Sequence, residues 1–145
     1  MKTLFEIVAL ASTALFAGAA VYVTFVEHPA RVSCGTALAV AQFRPSYRRG
    51  AVMQAGLAFV GLAASVAAWA ENGNGRVLLA GLLLGSFIPY TLLVVLPTNK
   101  KLLDPSLNAR SPEAAALLLR WGRLHSIRTI AGLLAFGLLL FALLG

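Results

Sequence analysis

The chain has 145 residues, 59% of them hydrophobic and 12% charged, against about 25% charged in an ordinary soluble domain. Water is therefore excluded as the main solvent, and the net charge of +7 reads as a membrane-topology signal rather than a nucleic-acid-binding surface. Cys34 is the single cysteine, which excludes an intramolecular disulfide and a thiolate metal cluster and leaves an inert thiol.

Four stretches are apolar enough to cross a bilayer, which takes ~20 residues per helix: 6–27, 50–70, 77–98 and 125–144. Backbone polar groups in hydrocarbon must be satisfied within each segment. The expected fold class is therefore all-α, an integral membrane four-helix bundle forming one domain over 1–145. The first stretch also has the parts of a secretory signal, namely Lys2, an apolar core and Ala17-Gly18-Ala19. Glu6 interrupts its start and apolar residues continue to Val26, which favours retention as the first helix.

Lysine and arginine set the orientation. Arg31, Arg44, Arg48 and Arg49 of the first connection and Lys100, Lys101, Arg110, Arg120 and Arg123 of the third lie on one side, opposite Lys2 and Arg76. Both termini are expected outside and the two longer connections in the cytoplasm, in the cell (inner) membrane. Residues 35–43 are apolar enough for a short interfacial helix, followed by a turn of head-group-binding cations at Arg44-Pro45-Ser46-Tyr47-Arg48-Arg49. Glu71-Asn72-Gly73-Asn74-Gly75-Arg76 is a tight polar turn.

Ser111-Pro112 supplies an N-cap and a first-turn proline. A fourth helix from there to the C-terminus is ~50 Å long at 1.5 Å per residue, so its first turns should leave the bilayer core. Gly81 with Gly85, and Gly61 with Ser65, allow close helix approach within the bundle, or alternatively between copies in a homo-oligomer. Trp69 and Trp121 are expected as interfacial anchors near opposite ends.

Polar residues then converge. Glu27 and His28 end the first helix, Gln54 begins the second, Tyr90 lies about two turns inside the third and Asn99 follows its end. Trp121, His125, Arg128 and Thr129 share one face of the fourth at roughly 100° per residue. Each has a plainer use. Glu27 can face interfacial water, His28 can cap a helix end, and Arg128 can snorkel to lipid phosphates. Tyr90 and Gln54 can make interhelical hydrogen bonds, and Asn99 can serve a turn after Pro97.

Both histidines at one depth point instead to a pocket. In one chemistry His125 or His28 is a general base tuned by Glu27, with Arg128 and Asn99 stabilising an oxyanion. In the other, His28, His125 and Glu27 hold zinc or non-haem iron. Their spacing matches no established ligand motif, so the form without metal or other cofactor is favoured.

Tyr22-Val23-Thr24-Phe25-Val26-Glu27-His28-Pro29, Leu96-Pro97-Thr98-Asn99-Lys100 and Trp121-Gly122-Arg123-Leu124-His125-Ser126-Ile127-Arg128-Thr129 together resemble the anthrone oxygenase-like family of small four-helix membrane proteins. Tyr47-Arg48-Arg49-Gly50-Ala51-Val52-Met53-Gln54 fits the same pattern, and the resemblance runs through nearly the whole chain. Fungal members oxidise polyketide anthrones to anthraquinones with dioxygen and are described as needing no organic cofactor. The resemblance implies an oxidoreductase acting on a lipophilic aromatic or quinone-like substrate. It assigns functional positions to Glu27, His28, Asn99, Trp121, His125 and Arg128. Family membership does not fix the substrate. A non-catalytic quinone-binding or accessory membrane protein is the alternative. A small cation or drug exporter ranks third, because Glu27 ends its helix instead of lying at the midplane.

Overall fold

The computed structural model describes residues 3–145. Lys2, counted above toward the outer side and the signal-like segment, lies outside the described residues. Four long apolar helices run Leu4–Ser33 (α1), Thr36–Asn72 (α2), Gly75–Leu103 (α3) and Pro112–Leu144 (α4), with no strand among the described residues. They hold 30, 37, 29 and 33 residues, all beyond the ~20 that span a bilayer. The protein is a multi-pass membrane protein built as a four-helix bundle. Sequential helices are neighbours and α4 closes against α1, so α1 lies diagonally across from α3, and α2 from α4.

The end of the bundle that carries the termini is sealed by short polar side chains. Thr3 and Glu6 form a reciprocal capping box at the start of α1. The Glu6 carboxylate also accepts from Asn72 Nδ2 at 3.0 Å, tying that start to the end of α2. The α2–α3 turn takes a left-handed Gly73 (φ 70) and an Asn74 N-cap, and Asn74 Nδ2 donates to the Ala142 carbonyl at 3.3 Å.

Above this seal, small residues let α2 and α3 approach closely. A Cβ on Gly81 would lie 2.3 Å from Ser65 Cβ, one on Gly61 would lie 2.4 Å from Leu84 Cδ2, and one on Gly85 would lie 2.7 Å from Leu62 Cδ2. The expected small-residue motifs thus serve packing within the bundle.

At the opposite end the structure corrects the expected interfacial helix and turn. Only Cys34 and Gly35 separate α1 from α2, and α2 continues through Pro45. Proline removes one i→i−4 bond, but both of its flanks are held. Phe43 stacks on Tyr47 at 5.5 Å between centroids, Ser46 accepts from Arg31 Nη2 at 2.9 Å, and Arg44 donates to the Asp104 carbonyl at 2.9 Å. In the third connection the amide and hydroxyl of Ser106 both donate to the Asp104 carboxylate and hold its pKa below the ordinary value.

Ser111 caps α4 as expected, accepting from the Ala114 amide at 3.1 Å. The early turns of α4 pack instead of projecting freely. Ala114, Leu117, Leu118 and Trp121 are buried in one cluster with Val40, Phe43, Val95 and Leu102. Trp121, with 6% of its surface exposed, is therefore a core residue and not an interfacial anchor. Trp69 is exposed near the other end.

Two helices contain a wide turn at matching places. Residues Val23–Glu27 of α1 and Thr91–Val95 of α3 are π-helical, with the His28 amide donating to Val23 and the Leu96 amide to Thr91. Each wide turn ends two residues before a proline, Pro29 or Pro97. A proline ring crowds the preceding turn and supplies no N–H, and shifting the register by one residue relieves that crowding. The spacing Tyr22…Pro29 recurs as Tyr90…Pro97, so the two diagonal helices share one local device.

Candidate functional site

The π turn of α1, the middle of α2 and the face of α4 named from the sequence meet around a polar cavity. Its lining includes Glu27, Arg31, Tyr47, Gln54, His125 and Arg128, with Phe43 and Trp121 as an aromatic wall, and its volume is about 70 Å³. A second, mostly apolar cavity of about 200 Å³ lies alongside, between α2 and α3, lined by Phe16, Ala51, Ala55, Ala58, Phe87 and Leu92. Tyr47, Ala51, Gln54 and Arg128 border both. Together the cavities approach the lower end of ligand-pocket sizes, roughly 300 Å³.

Arg128 is only 9% exposed and turns inward, not toward lipid phosphates. Its Nη2 donates to Gln54 Oε1, and its guanidinium stands 5.7 Å from the Phe16 ring centroid. The Gln54 contact fixes that carboxamide with its oxygen engaged and its NH2 available as a donor. Among the described residues no carboxylate is paired with Arg128. The two cavities are thus separated by a buried cation whose protein partners are neutral.

Glu27 is placed differently from the expected role. It forms an ion pair with Arg31, one turn on, and accepts from Gln42 Nε2 at 3.1 Å. Its carboxylate is hydrogen-bonded to neither imidazole. Arg31 is itself packed 5.5 Å from the Phe43 ring and 5.7 Å from the Trp121 ring, so the part-exposed Glu27 is the anionic partner of a buried arginine.

The histidines share Trp121. The ring of His125 stacks on it at 4.9 Å, and that of His28 lies against it at 5.1 Å. His28 faces a different cavity, between α1 and α4, where it packs against Gly122, and a Cβ there would meet its Nε2 at 2.6 Å. His125 borders that cavity as well as the polar one. Among the described residues no group of three His, Cys, Asp or Glu side chains is placed to hold a metal ion. The geometry therefore does not assemble the His28, His125 and Glu27 ligand set.

Two expected residues stand apart. The Tyr90 hydroxyl donates to the Leu124 carbonyl at 3.1 Å, an α3–α4 bond that borders neither cavity. Asn99 is fully buried on the face of α3 that also presents Val95 and Leu102, and its amide O and N have no hydrogen-bond partner. It too is absent from the lining of both cavities.

Conversely, sequence reasoning treated Arg31 as a loop charge, Tyr47 as part of a turn and Thr24 as a motif member only. The proline at 29 was the available signal. It allows α1 to continue, with an altered register, past Glu27 to Arg31.

A bundle of membrane-crossing helices, with a polar cavity at one end beside an apolar slot, defines a multi-pass membrane protein with internal cavities. Residues 43–138 match the family model described as anthrone oxygenase, and the chain belongs to that family. The match contains Gln54, Trp121, His125 and Arg128 and begins after Glu27 and His28. No curated protein and no solved structure matches the chain.

Proposed function

We propose that this protein is a membrane-embedded oxidoreductase that uses dioxygen on a planar, lipophilic, anthrone-like substrate. The observation that carries the reading is the Gln54–Arg128 pair on the boundary between a polar cavity and an apolar slot. Rings would occupy the slot, among alanines of α2 and the stacked Phe16 and Phe87 rings, whose centroids are 5.1 Å apart. The reacting ring would cross the boundary into the polar cavity, with its oxygen near Arg128 and the Gln54 NH2 and its acidic C–H toward His125.

His125 then takes a proton from the acidic C–H. The resulting enolate is stabilised by donors already in place, an arrangement worth about 10²–10³ in rate per donor in other enzymes. The electron-rich carbanion reduces dioxygen. One oxygen atom becomes the new carbonyl and the other leaves as water with the two hydrogens lost from carbon. In the proposed orientation this half of the bundle faces the cytoplasm, because the lysines and arginines of the first and third connections cluster there.

The test is oxygen uptake by purified protein given an anthrone. Turnover that disappears in His125→Ala and Arg128→Met supports the reading. Tight substrate binding with no oxygen uptake by wild type would move the protein to the quinone-binding alternative.

A further inference from the structure

His125 has two ring nitrogens, and only one arrangement of protons satisfies its surroundings. Thr24 Oγ1 lies 3.0 Å from His125 Nδ1 and 2.7 Å from Thr129 Oγ1. Thr129 Oγ1 in turn lies 3.1 Å from the Ala20 carbonyl and 3.3 Å from the His125 carbonyl. A hydroxyl has one proton to donate, and a carbonyl oxygen can only accept. The Thr129 proton must therefore go to the two carbonyls, as is usual for a helical threonine facing a carbonyl four residues back.

Thr129 then accepts from Thr24, which uses up the Thr24 proton. What remains toward His125 is a Thr24 lone pair, so Nδ1 has to be the donor. The partner of one imidazole nitrogen decides the state of the other. With Nδ1 protonated, neutral His125 carries its lone pair on Nε2. Among the described residues Nε2 has no hydrogen-bond partner, and the ring borders the polar cavity.

We infer that Thr24 and Thr129 are positioning residues that lock His125 in its Nδ1–H form and present Nε2 as a proton acceptor to the cavity. The opposite tautomer would aim an N–H at the ligand and could not receive a proton there. The ligand class follows: a molecule that offers an acidic C–H or O–H at that edge. The π turn is part of the device, because Thr24 sits at its second position and is delivered to α4 by the same register shift that precedes Pro29. The use of Nε2 in oxidation rests on the proposed function, whereas the tautomer itself does not.

The experiment is nitrogen-15 NMR of histidine-labelled protein in nanodiscs, at a pH where the imidazole is neutral. The chain has two histidines, and His125→Gln assigns the signals. The expected wild-type spectrum has a protonated Nδ1 and an unprotonated Nε2 for His125. In Thr129→Val the Thr24 proton is released to Nδ1, so the N–H signal should move to Nε2, and Thr129→Ser should restore the wild-type pattern.

Wild-type protein with its proton on Nε2 overturns the inference, and it does so even if the valine variant does not fold. An unchanged spectrum in folded Thr129→Val overturns the role of Thr129. In turnover, the valine variant should lose kcat with little change in KM, and serine should recover it. The expected tautomer in a protein that consumes no oxygen would leave this inference standing and remove the oxidase reading.

Discussion

Toward the termini, α2 and α3 meet through Gly61, Ser65, Gly81 and Gly85, and the buried hydroxyls of Thr13 and Ser65 are satisfied by their own helices. Thr13 donates to the Ala9 carbonyl at 2.7 Å and Ser65 to the Gly61 carbonyl at 2.8 Å. Toward the first and third connections, the same bundle encloses cavities and leaves buried polar atoms of Arg31, Thr98, Asn99, Trp121 and Arg128 without a protein partner. Such atoms cost about 1–3 kcal/mol each when nothing satisfies them. One half is therefore arranged for close helix packing, and the other encloses cavities and polar groups. The contrast puts the proposed site where the packing is least complete.

The largest test of that contrast is Arg128→Met. Turnover should fall about 10²–10³-fold if the guanidinium stabilises a developing anion. Stability should hold or rise, by about 1 kcal/mol or more, because a buried charge with only neutral protein partners carries a desolvation cost. Oxygen uptake and thermal unfolding on the same preparation check both halves of the statement. A variant that melts well below wild type would show that Arg128 is a structural residue.

Gly81→Ala probes the other half. The new methyl would begin 2.3 Å from Ser65 Cβ and 3.7 Å from Leu62 Cα, so the two helices must separate. Unfolding in detergent should show a loss of about 1–3 kcal/mol, the usual range for overpacking. This exceeds the 0.5–1 kcal/mol that alanine gains over glycine in a helix. A melting point equal to wild type would contradict the close α2–α3 contact.

The same contrast explains what the sequence could and could not show. Helix number and the convergence of Gln54, Trp121, His125 and Arg128 follow from hydropathy and the 3.6-residue period, which are local quantities. The packing role of Gly81 and Gly85 was legible for the same reason. The interhelical bond of Tyr90 is legible as a possibility, since an aromatic hydroxyl can bond any neighbouring carbonyl, and only the tertiary structure shows that it is the one of Leu124. Glu27 is expected to tune His125 or His28 from its depth in the bundle, and helical spacing also brings Arg31 one turn away, where the structure makes the ion pair. Arg44-Pro45-Ser46 reads as a turn from composition, but tertiary contacts on both sides of the proline override that preference. The recurring Tyr…Pro spacing at 22–29 and 90–97 was visible, and only the structure gives it meaning as paired π turns.

Ala51 borders both cavities, and Ala51→Leu should narrow them without removing a charged group. Binding of a ring-bearing substrate should weaken about tenfold, equivalent to ~1.4 kcal/mol, with the rise falling mainly on KM. Titration of a fluorescent aromatic ligand, alongside kinetics, separates this from a general loss of fold. Equal affinity for wild type and variant would place the rings somewhere other than the slot between α2 and α3.

The smallest stability effect should come from Gly122→Ala, compared with Gly137→Ala. Around Gly137 no atom lies within 4 Å of the added Cβ, so alanine should stabilise α4 by about 0.5–1 kcal/mol. At Gly122 the same gain is opposed by the His28 imidazole, whose Nε2 and Cδ2 would lie 2.6 and 2.9 Å away. Those atoms are the far end of a side chain that can rotate, in contrast to the Cβ that meets the methyl at Gly81. Gly122→Ala should therefore fold with a stability within about 0.5 kcal/mol of wild type while shifting the His28 ring off Trp121. If its oxygen uptake falls while that of Gly137→Ala does not, the position of His28 matters to the site. If both variants match wild type, His28 belongs to the wall behind Trp121, and the working chemistry rests with His125, Arg128 and Gln54.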